Sequence, residues 1–179
     1  GGANRLARIG LRPEVVIGDL DSIRPEVRAW IGEERMREVA DQERTDLDKA
    51  LAHLLDERGL PALTVLGAVA GRLDHASSNL GLLARRGAGP ALELVADDHR
   101  VVAVRGRARL TSAPGETWSF WTFDPAVRVT LTGVRWPVDG TPLSPTDRPS
   151  ISNVATAEAV EVTAEGGALL ALRWLAPPG

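Results

Sequence analysis

Apolar residues recur at Leu47, Ala50, Leu51, Leu54 and Leu55, the i, i+3, i+4, i+7, i+8 spacing of one helix face. That pattern predicts a helix over residues 45–58. Thr45 stands where an N-cap hydroxyl belongs, Asp48 sits three residues on in a near capping box, and Gly59 follows the last turn. A second long helix is expected over residues 73–86, closed by Gly87, with shorter ones over 3–9 and 25–31. Short apolar runs at 15–17 and 63–66 read as buried strands. Each runs straight into a glycine-bearing segment, 18–22 and 67–71. Strand and helix in alternation predict a mostly parallel open sheet with helices on both faces.

From Leu92 onward the helical period is gone. Short strands are expected at 92–95, 101–104, 107–110, 117–123, 127–131, 158–162 and 168–174, separated by Gly, Pro and Asp. This spacing predicts an antiparallel sandwich or barrel. The fold class expected is therefore α/β with a C-terminal antiparallel β-sandwich. Residues 1–88 form the first domain and 89–179 the second, with the boundary near 87–90. The stretch 137–149, rich in Pro, Asp and Thr, reads as a loop.

Composition narrows the chemistry. A net charge of −3 gives no general attraction to nucleic acid. Without cysteine there is no disulfide framework, thiolate metal site or cysteine nucleophile. His53, His75 and His99 are too scattered to suggest zinc. No apolar run approaches the ~20 residues of a membrane helix, and no signal peptide opens the sequence, so the cytoplasm is the expected compartment. Twenty arginines accompany a single lysine, Lys49. A lysine kept against such a bias points to a place where the wider guanidinium does not serve.

Three motifs carry candidate chemistry. Gly18-Asp19-Leu20-Asp21-Ser22 follows a strand, where ligands bind in open α/β sheets. Carboxylates one residue apart suit a hard cation such as Mg²⁺; a polar turn with Ser22 capping the next helix is the other reading. Thr45-Asp46-Leu47-Asp48-Lys49 opens the clearest helix, where amides and dipole favour an anion. There the plainer reading makes Asp46 a dipole partner and Lys49 a solvated charge. Gly67-Ala68-Val69-Ala70-Gly71-Arg72-Leu73-Asp74-His75 joins a strand to a helix. Its glycines admit phosphates to the backbone and Arg72 can clamp them; alternatively it is a glycine turn with Asp74 as cap. No P-loop pattern occurs. Together the motifs supply acidic ligands, a helix start, a glycine loop, an arginine and the one lysine, which suits phosphoryl-type transfer from a magnesium nucleotide.

These motifs, with Gly1-Gly2-Ala3-Asn4, Lys49-Ala50-Leu51, Asn79, Gly133-Val134-Arg135-Trp136 and Ser150-Ile151-Ser152-Asn153, resemble in order those of the thiamine pyrophosphokinases. The resemblance spans nearly the whole chain. It implies an α/β nucleotide-binding domain, a β-sandwich thiamine-binding domain and a homodimer whose thiamine clefts are completed by the partner. It implies Mg²⁺ on Asp19, Asp21 and Asp46. Nucleotide contacts fall to Thr45, Lys49, Gly67, Ala68, Gly71, Arg72 and Asn79. Thiamine contacts fall to Gly2, Asn4, Gln42, Asp74, Trp136, Ser150, Ser152 and Asn153. Asp19, Asp21, Asp46, Arg72 and Asp74 form the catalytic set, with Asp74 orienting or deprotonating a substrate group. Two departures stand out. The family pattern has a strand and an aspartate ahead of the Gly1-Gly2 pair, so the first domain is expected without its first strand here. The family also often has Glu where Asp48 stands.

The activity implied is transfer of a diphosphate from ATP to the thiamine hydroxyl, releasing AMP. Two other readings keep the fold. One is a pyrophosphokinase acting on a pterin or another alcohol, and the other is a non-catalytic nucleotide-binding relative.

Overall fold

The computed structural model describes residues 1–87 and 92–175. The chain divides into two compact units, Gly1–Leu60 and Pro61–Gly179. The boundary expected near 87–90 falls largely outside the described residues.

The first unit contains α1 (Gly2–Arg8), β1 (Val16–Gly18), α2 (Pro25–Ile31), β2 (Met36–Glu38) and α3 (Asp46–Leu51). The strands β1 and β2 run parallel, with Val16 opposite Met36 and Gly18 opposite Glu38. Pro25 opens α2, a position that needs no amide hydrogen. Ala3, Val27 and Ile31 form a small buried core with Ala7, Val16, Ile23 and Met36 against it. As the capping pattern predicts, Thr45 caps α3, its Oγ1 accepting from the Asp48 amide at 3.3 Å. The helix does not stay regular to residue 58. After Leu51 it widens into π-helical turns over Ala52–Glu57. Nothing in the sequence pattern marks β2. With one apolar residue in three it has no period, and only its pairing with β1 makes it a strand.

The second unit contains β3 (Leu63–Leu66), α4 (Leu73–Arg86), β4 (Leu92–Val95), β5 (His99–Thr111), β6 (Thr117–Trp121), β7 (Arg128–Thr132), β8 (Val138–Thr141), β9 (Ser150–Val154) and β10 (Ala159–Trp174). All eight strands belong to one hydrogen-bonded network: β3-β4-β5-β10-β6-β9 in order, with β7 on β10 and β8 on β7. The pair β3–β4 is parallel and every other pairing is antiparallel. The described residues thus hold two separate parallel pairs rather than one parallel sheet. The edge of β4 that a further parallel strand would need is taken by antiparallel β5, which ties β3 and β4 to the large sheet.

Two pairs of expected strands are each one long strand. The runs 101–104 and 107–110 merge into β5 through Gly106, whose φ of 66° lets the strand bend without a break. The runs 158–162 and 168–174 merge into β10, whose pairing with β5 is interrupted between Ala164 and Leu169. On one side of that irregularity β10 pairs with β7, on the other with β6. One bent sheet therefore encloses the core, in which Phe120, Val129, Leu131, Val160 and Leu169 are sealed from solvent. Two further expectations change. The stretch read as a loop at 137–149 contains β8, and β3 is not buried, since Leu66 is 76 % exposed at the sheet edge.

Leu131→Ala removes a side chain with no exposed surface. It is expected to lower unfolding free energy by about 3 kcal/mol, whereas Leu66→Ala stays within about 0.5 kcal/mol. Urea denaturation of both variants checks the contrast.

Candidate functional site

The acidic motif begins where β1 ends. Gly18 is buried at φ 152°, and a Cβ there would lie 2.9 Å from Cγ of Asp46. Only glycine allows the Asp46 carboxylate to close against the strand end. Leu20 follows in the left-handed region at φ 62°. Such a conformation is unusual outside glycine and costs on the order of 1 kcal/mol or more. It folds the loop back so that the Asp21 amide donates to Oδ1 of Asp19 at 3.3 Å. Asn4 braces the far side, donating to the Ser22 carbonyl at 2.8 Å and accepting from the Arg24 amide at 3.2 Å.

The electrostatics follow from that loop. The Asp21 amide, and then a hydrogen bond between the two carboxyl groups, hold Asp19 below the ordinary carboxylate range. The same side-chain hydrogen bond and the charge of Asp19 push Asp21 upward, with a smaller push from Asp46. Two like charges forced together in this way favour a shared proton or a cation. Lys49 is buried, its side chain 3 % exposed, with Nζ 3.5 Å from Oδ1 of Asp46. It is therefore not the solvated charge of the plainer reading. Its position one turn beyond Asp46 makes it a counter-charge to the acidic group. Among the described residues no three His, Cys, Asp or Glu side chains are gathered closely enough to hold a metal ion as they stand. The donor set nevertheless fits a hard cation: carboxylate oxygens only, two of them already in contact and a third against Gly18. Gln42 lies exposed in the loop before α3, and Gly2 is the first residue of α1.

In the second unit the glycine loop joins β3 to α4. Gly67 and Gly71 both have positive φ, at 72° and 87°. The Gly67 amide is not free for a phosphate, because it donates to the Val95 carbonyl at 3.0 Å and prolongs the β3–β4 ladder. Asn79 likewise turns inward, donating to the Ala68 carbonyl at 2.7 Å and tying the loop to α4. Arg72, not Asp74, is the N-cap residue of α4. Arg72 grips Asp74 through two hydrogen bonds of 3.1 and 2.5 Å. That guanidinium, with the His75 amide, pulls the Asp74 carboxyl down to about 2. So strong an acid is a poor proton acceptor near neutrality, and its contact with Arg72 aligns that guanidinium.

Further along the same unit, a cleft of about 430 Å³ is lined by Trp136, Val138, Leu143, Arg148, Ser150 and Ser152 among others. Trp136 is 54 % exposed, with the Arg135 guanidinium 5.6 Å from its ring centre. Ser152 holds a left-handed φ of 54°, its amide donating to Ser119 Oγ at 3.1 Å. The sequence reading missed Ser119, which carries no signal apart from this contact, and Arg148, which lies in the stretch read as a loop.

Residues 1–94 match the family model described as the catalytic domain of thiamin pyrophosphokinase. Residues 107–169 match the vitamin B1 binding domain of the same family. The chain belongs to the thiamine pyrophosphokinase family. Thiamine pyrophosphokinase 1 of Oryza sativa subsp. japonica is 31 % identical over 178 residues, covering 88 % of this chain and 65 % of the relative. Thiamine pyrophosphokinase 1 of Arabidopsis thaliana is 28 % identical, covering 88 % and 64 %. The chain thus spans just under two thirds of the length of these relatives. The crystal structure of thiamine pyrophosphokinase from Bacillus subtilis superposes with a TM-score of 0.78 at 24 % identity, over 97 % of this chain and 84 % of that one. That of yeast thiamin pyrophosphokinase gives 0.74 at 17 % identity, over 97 % and 76 %. Both show a shared fold. Among the described residues no helix is long and apolar enough to cross a membrane.

Within this thiamine pyrophosphokinase frame, the first unit brings Asp19, Asp21, Asp46 and Lys49 together. The second brings Trp136, Ser150 and Ser152 to one cleft. Asn4, Thr45 and Asn79 each brace a loop or helix start through at least one hydrogen bond. The carboxylate pair is directly testable. Replacing Asp19 by Asn removes the carboxyl–carboxyl hydrogen bond, and with it the like charge, that together hold the Asp21 pKa up. Asp19→Asn is therefore expected to lower the Asp21 pKa toward the ordinary carboxylate value, read by NMR titration of the side-chain carbonyl carbon. An unchanged Asp21 titration would show that the two groups are not paired.

Proposed function

We propose that this chain is a thiamine diphosphokinase. In this reading the thiamine hydroxyl oxygen bonds to the β-phosphorus of ATP. The bond from that phosphorus to the bridging α–β oxygen breaks, AMP leaves with that oxygen, and the hydroxyl proton passes to solvent or a nearby base. The observation that carries the reading is the carboxylate pair Asp19–Asp21, with Asp46 held beside it by Gly18 and Lys49, inside a segment that matches the family's catalytic model.

Asp19, Asp21 and Asp46 would hold Mg²⁺. Bound there, the ion would supply charge neutralisation on the transferring phosphates. Lys49 keeps the Asp46 carboxylate turned toward the pair and offsets its charge. Arg72, aligned by Asp74 through Nε and Nη2, is an exposed guanidinium whose Nη1 edge would meet phosphate oxygens. The cleft at Trp136 and Ser150 offers an aromatic face and hydroxyls to the thiamine rings. We take the working enzyme to be a homodimer with shared sites, divided into a nucleotide-binding domain over 1–88 and a thiamine-binding domain over 89–179. We place it in the cytoplasm, with the ATP it consumes.

Release of AMP from ATP and Mg²⁺, measured with thiamine, with a pterin alcohol and with no acceptor, tests the function. AMP formed only with thiamine is expected. AMP with the pterin moves the substrate assignment, and none with any acceptor makes the chain a non-catalytic relative. In the same assay Asp21→Asn is expected to fall to background. Lys49→Arg is expected to lose on the order of thirtyfold in kcat/KM for ATP, about 2 kcal/mol. A Lys49→Arg rate within twofold of the parent removes Lys49 from the machinery.

Gly18→Ala makes a separate point. A Cβ 2.9 Å from Asp46 Cγ forces the carboxylate away from the pair. Mg²⁺ affinity measured by calorimetry is expected to weaken by about tenfold, roughly 1.4 kcal/mol.

A further inference from the structure

Asn153 is buried, 1 % exposed, on β9 beside the cleft. Its amide has four hydrogen-bonding places: two lone pairs on Oδ1 and two hydrogens on Nδ2. All four are filled from within the chain. Oδ1 accepts from the Trp136 amide at 3.1 Å and from its neighbour, the Val154 amide, at 2.9 Å. Nδ2 donates to the Trp136 carbonyl at 2.8 Å and to Ser150 Oγ at 3.1 Å. The network also fixes which end of the amide is which. A flipped side chain would set NH₂ against two N–H donors and the oxygen against a carbonyl.

The surroundings explain why an amide is needed here. Residues 133–136 run beside the end of β9. Val134 bridges Ala155, the Arg135 amide donates to the Val154 carbonyl at 2.8 Å, and the Thr156 amide donates to the Gly133 carbonyl at 2.9 Å. At Trp136 the backbone pairing ends. There the Asn153 side chain takes both main-chain groups of Trp136 in place of a strand. The backbone of Trp136 is thus clamped while the residue as a whole stays 54 % exposed at the cleft wall. The same side chain holds the Ser150 hydroxyl, which lines the cleft as well.

We propose that Asn153 is a positioning residue of the thiamine site, touching no substrate itself. It acts by presenting Trp136 and Ser150 to the cleft in one fixed arrangement, which sets affinity for the aromatic substrate and leaves the nucleotide untouched. The proposal deepens the thiamine diphosphokinase reading and rests on it for the identity of the substrate.

Asn153→Asp is the sharp test. It keeps size and both acceptor contacts but places a carboxylate oxygen against the Trp136 carbonyl. Steady-state kinetics are expected to show KM for thiamine raised tenfold or more, with KM for ATP close to the parent; the buried, unpaired carboxylate also lowers the thermal midpoint, so the kinetics are measured well below it. In a Trp136→Ala background the same substitution is expected to change KM for thiamine less than threefold, because the aromatic group it positions is gone and only the Ser150 contact remains to be lost. An unchanged KM for thiamine, an equal rise in KM for ATP, or a full tenfold effect in the Trp136→Ala background overturns the proposal. If Asn153→Asp does not fold, Asn153→Ser is measured in its place against the same criteria.

A second readout does not depend on turnover. The Trp136 emission is obtained as the difference between parent and Trp136→Phe spectra. Between Asn153→Asp and Asn153→Asp/Trp136→Phe, that difference emission is expected to be quenched by acrylamide at least twice as strongly as in the parent pair. Equal quenching overturns the clamp. A parent protein that makes no product from thiamine, yet shows the quenching change, refutes the functional reading and leaves the positioning role standing.

Discussion

The second unit is organised by one ladder, the antiparallel pairing of β5 with β10 from Ala159 opposite Thr111 to Trp174 opposite His99. A ladder this long cannot stay flat, because paired strands twist. The strain is released where pairing lapses between Ala164 and Leu169, opposite the bend at Gly106. β10 therefore carries β7 on one stretch and β6 on the other, and their inward residues close on each other as a single core. The cleft residues hang from this frame: β6 holds β9, and β9 holds Ser150, Ser152 and Asn153. A change in the bend would be felt at the cleft through packing alone.

The first unit poses an electrostatic problem rather than a packing one. Three carboxylates lie around one strand end, and a single buried ammonium offsets them. Nothing about apolar burial favours such a group. It persists because the local backbone leaves it little choice: Gly18 admits Asp46, Leu20 is turned into the left-handed region, and Asn4 holds the loop from behind. Backbone strain concentrated at such a point is characteristic of sites that must be held ready for a ligand. The one lysine in a chain otherwise furnished with arginine is thus a buried one, beside Asp46.

Much of this was legible in the sequence. Helices at Pro25–Ile31 and Leu73–Arg86 and the strand at Leu92–Val95 fall where apolar period and glycine stops put them. The Thr45 cap is present because a hydroxyl before an amphipathic run satisfies an otherwise unpaired amide. The order of the motifs was enough to resemble the family whose models cover residues 1–94 and 107–169. Less legible were elements defined by their partners. β2 and β8 have no hydrophobic period of their own and exist through pairing with β1 and β7.

The sequence by itself determined which residues could do chemistry: the carboxylates, the lone lysine, the glycine loop and the Trp136 and Ser150 segments. These are matters of side-chain type and local spacing. Only the tertiary structure decided how each is used. It spent the Gly67 amide on the sheet and turned Asn79 into a loop brace. It set Asp74 to work on Arg72, buried Lys49, and filled every hydrogen-bonding place of Asn153. The reason is that a donor or acceptor has few places to give, and which partner takes them depends on residues brought close by the fold from far along the chain.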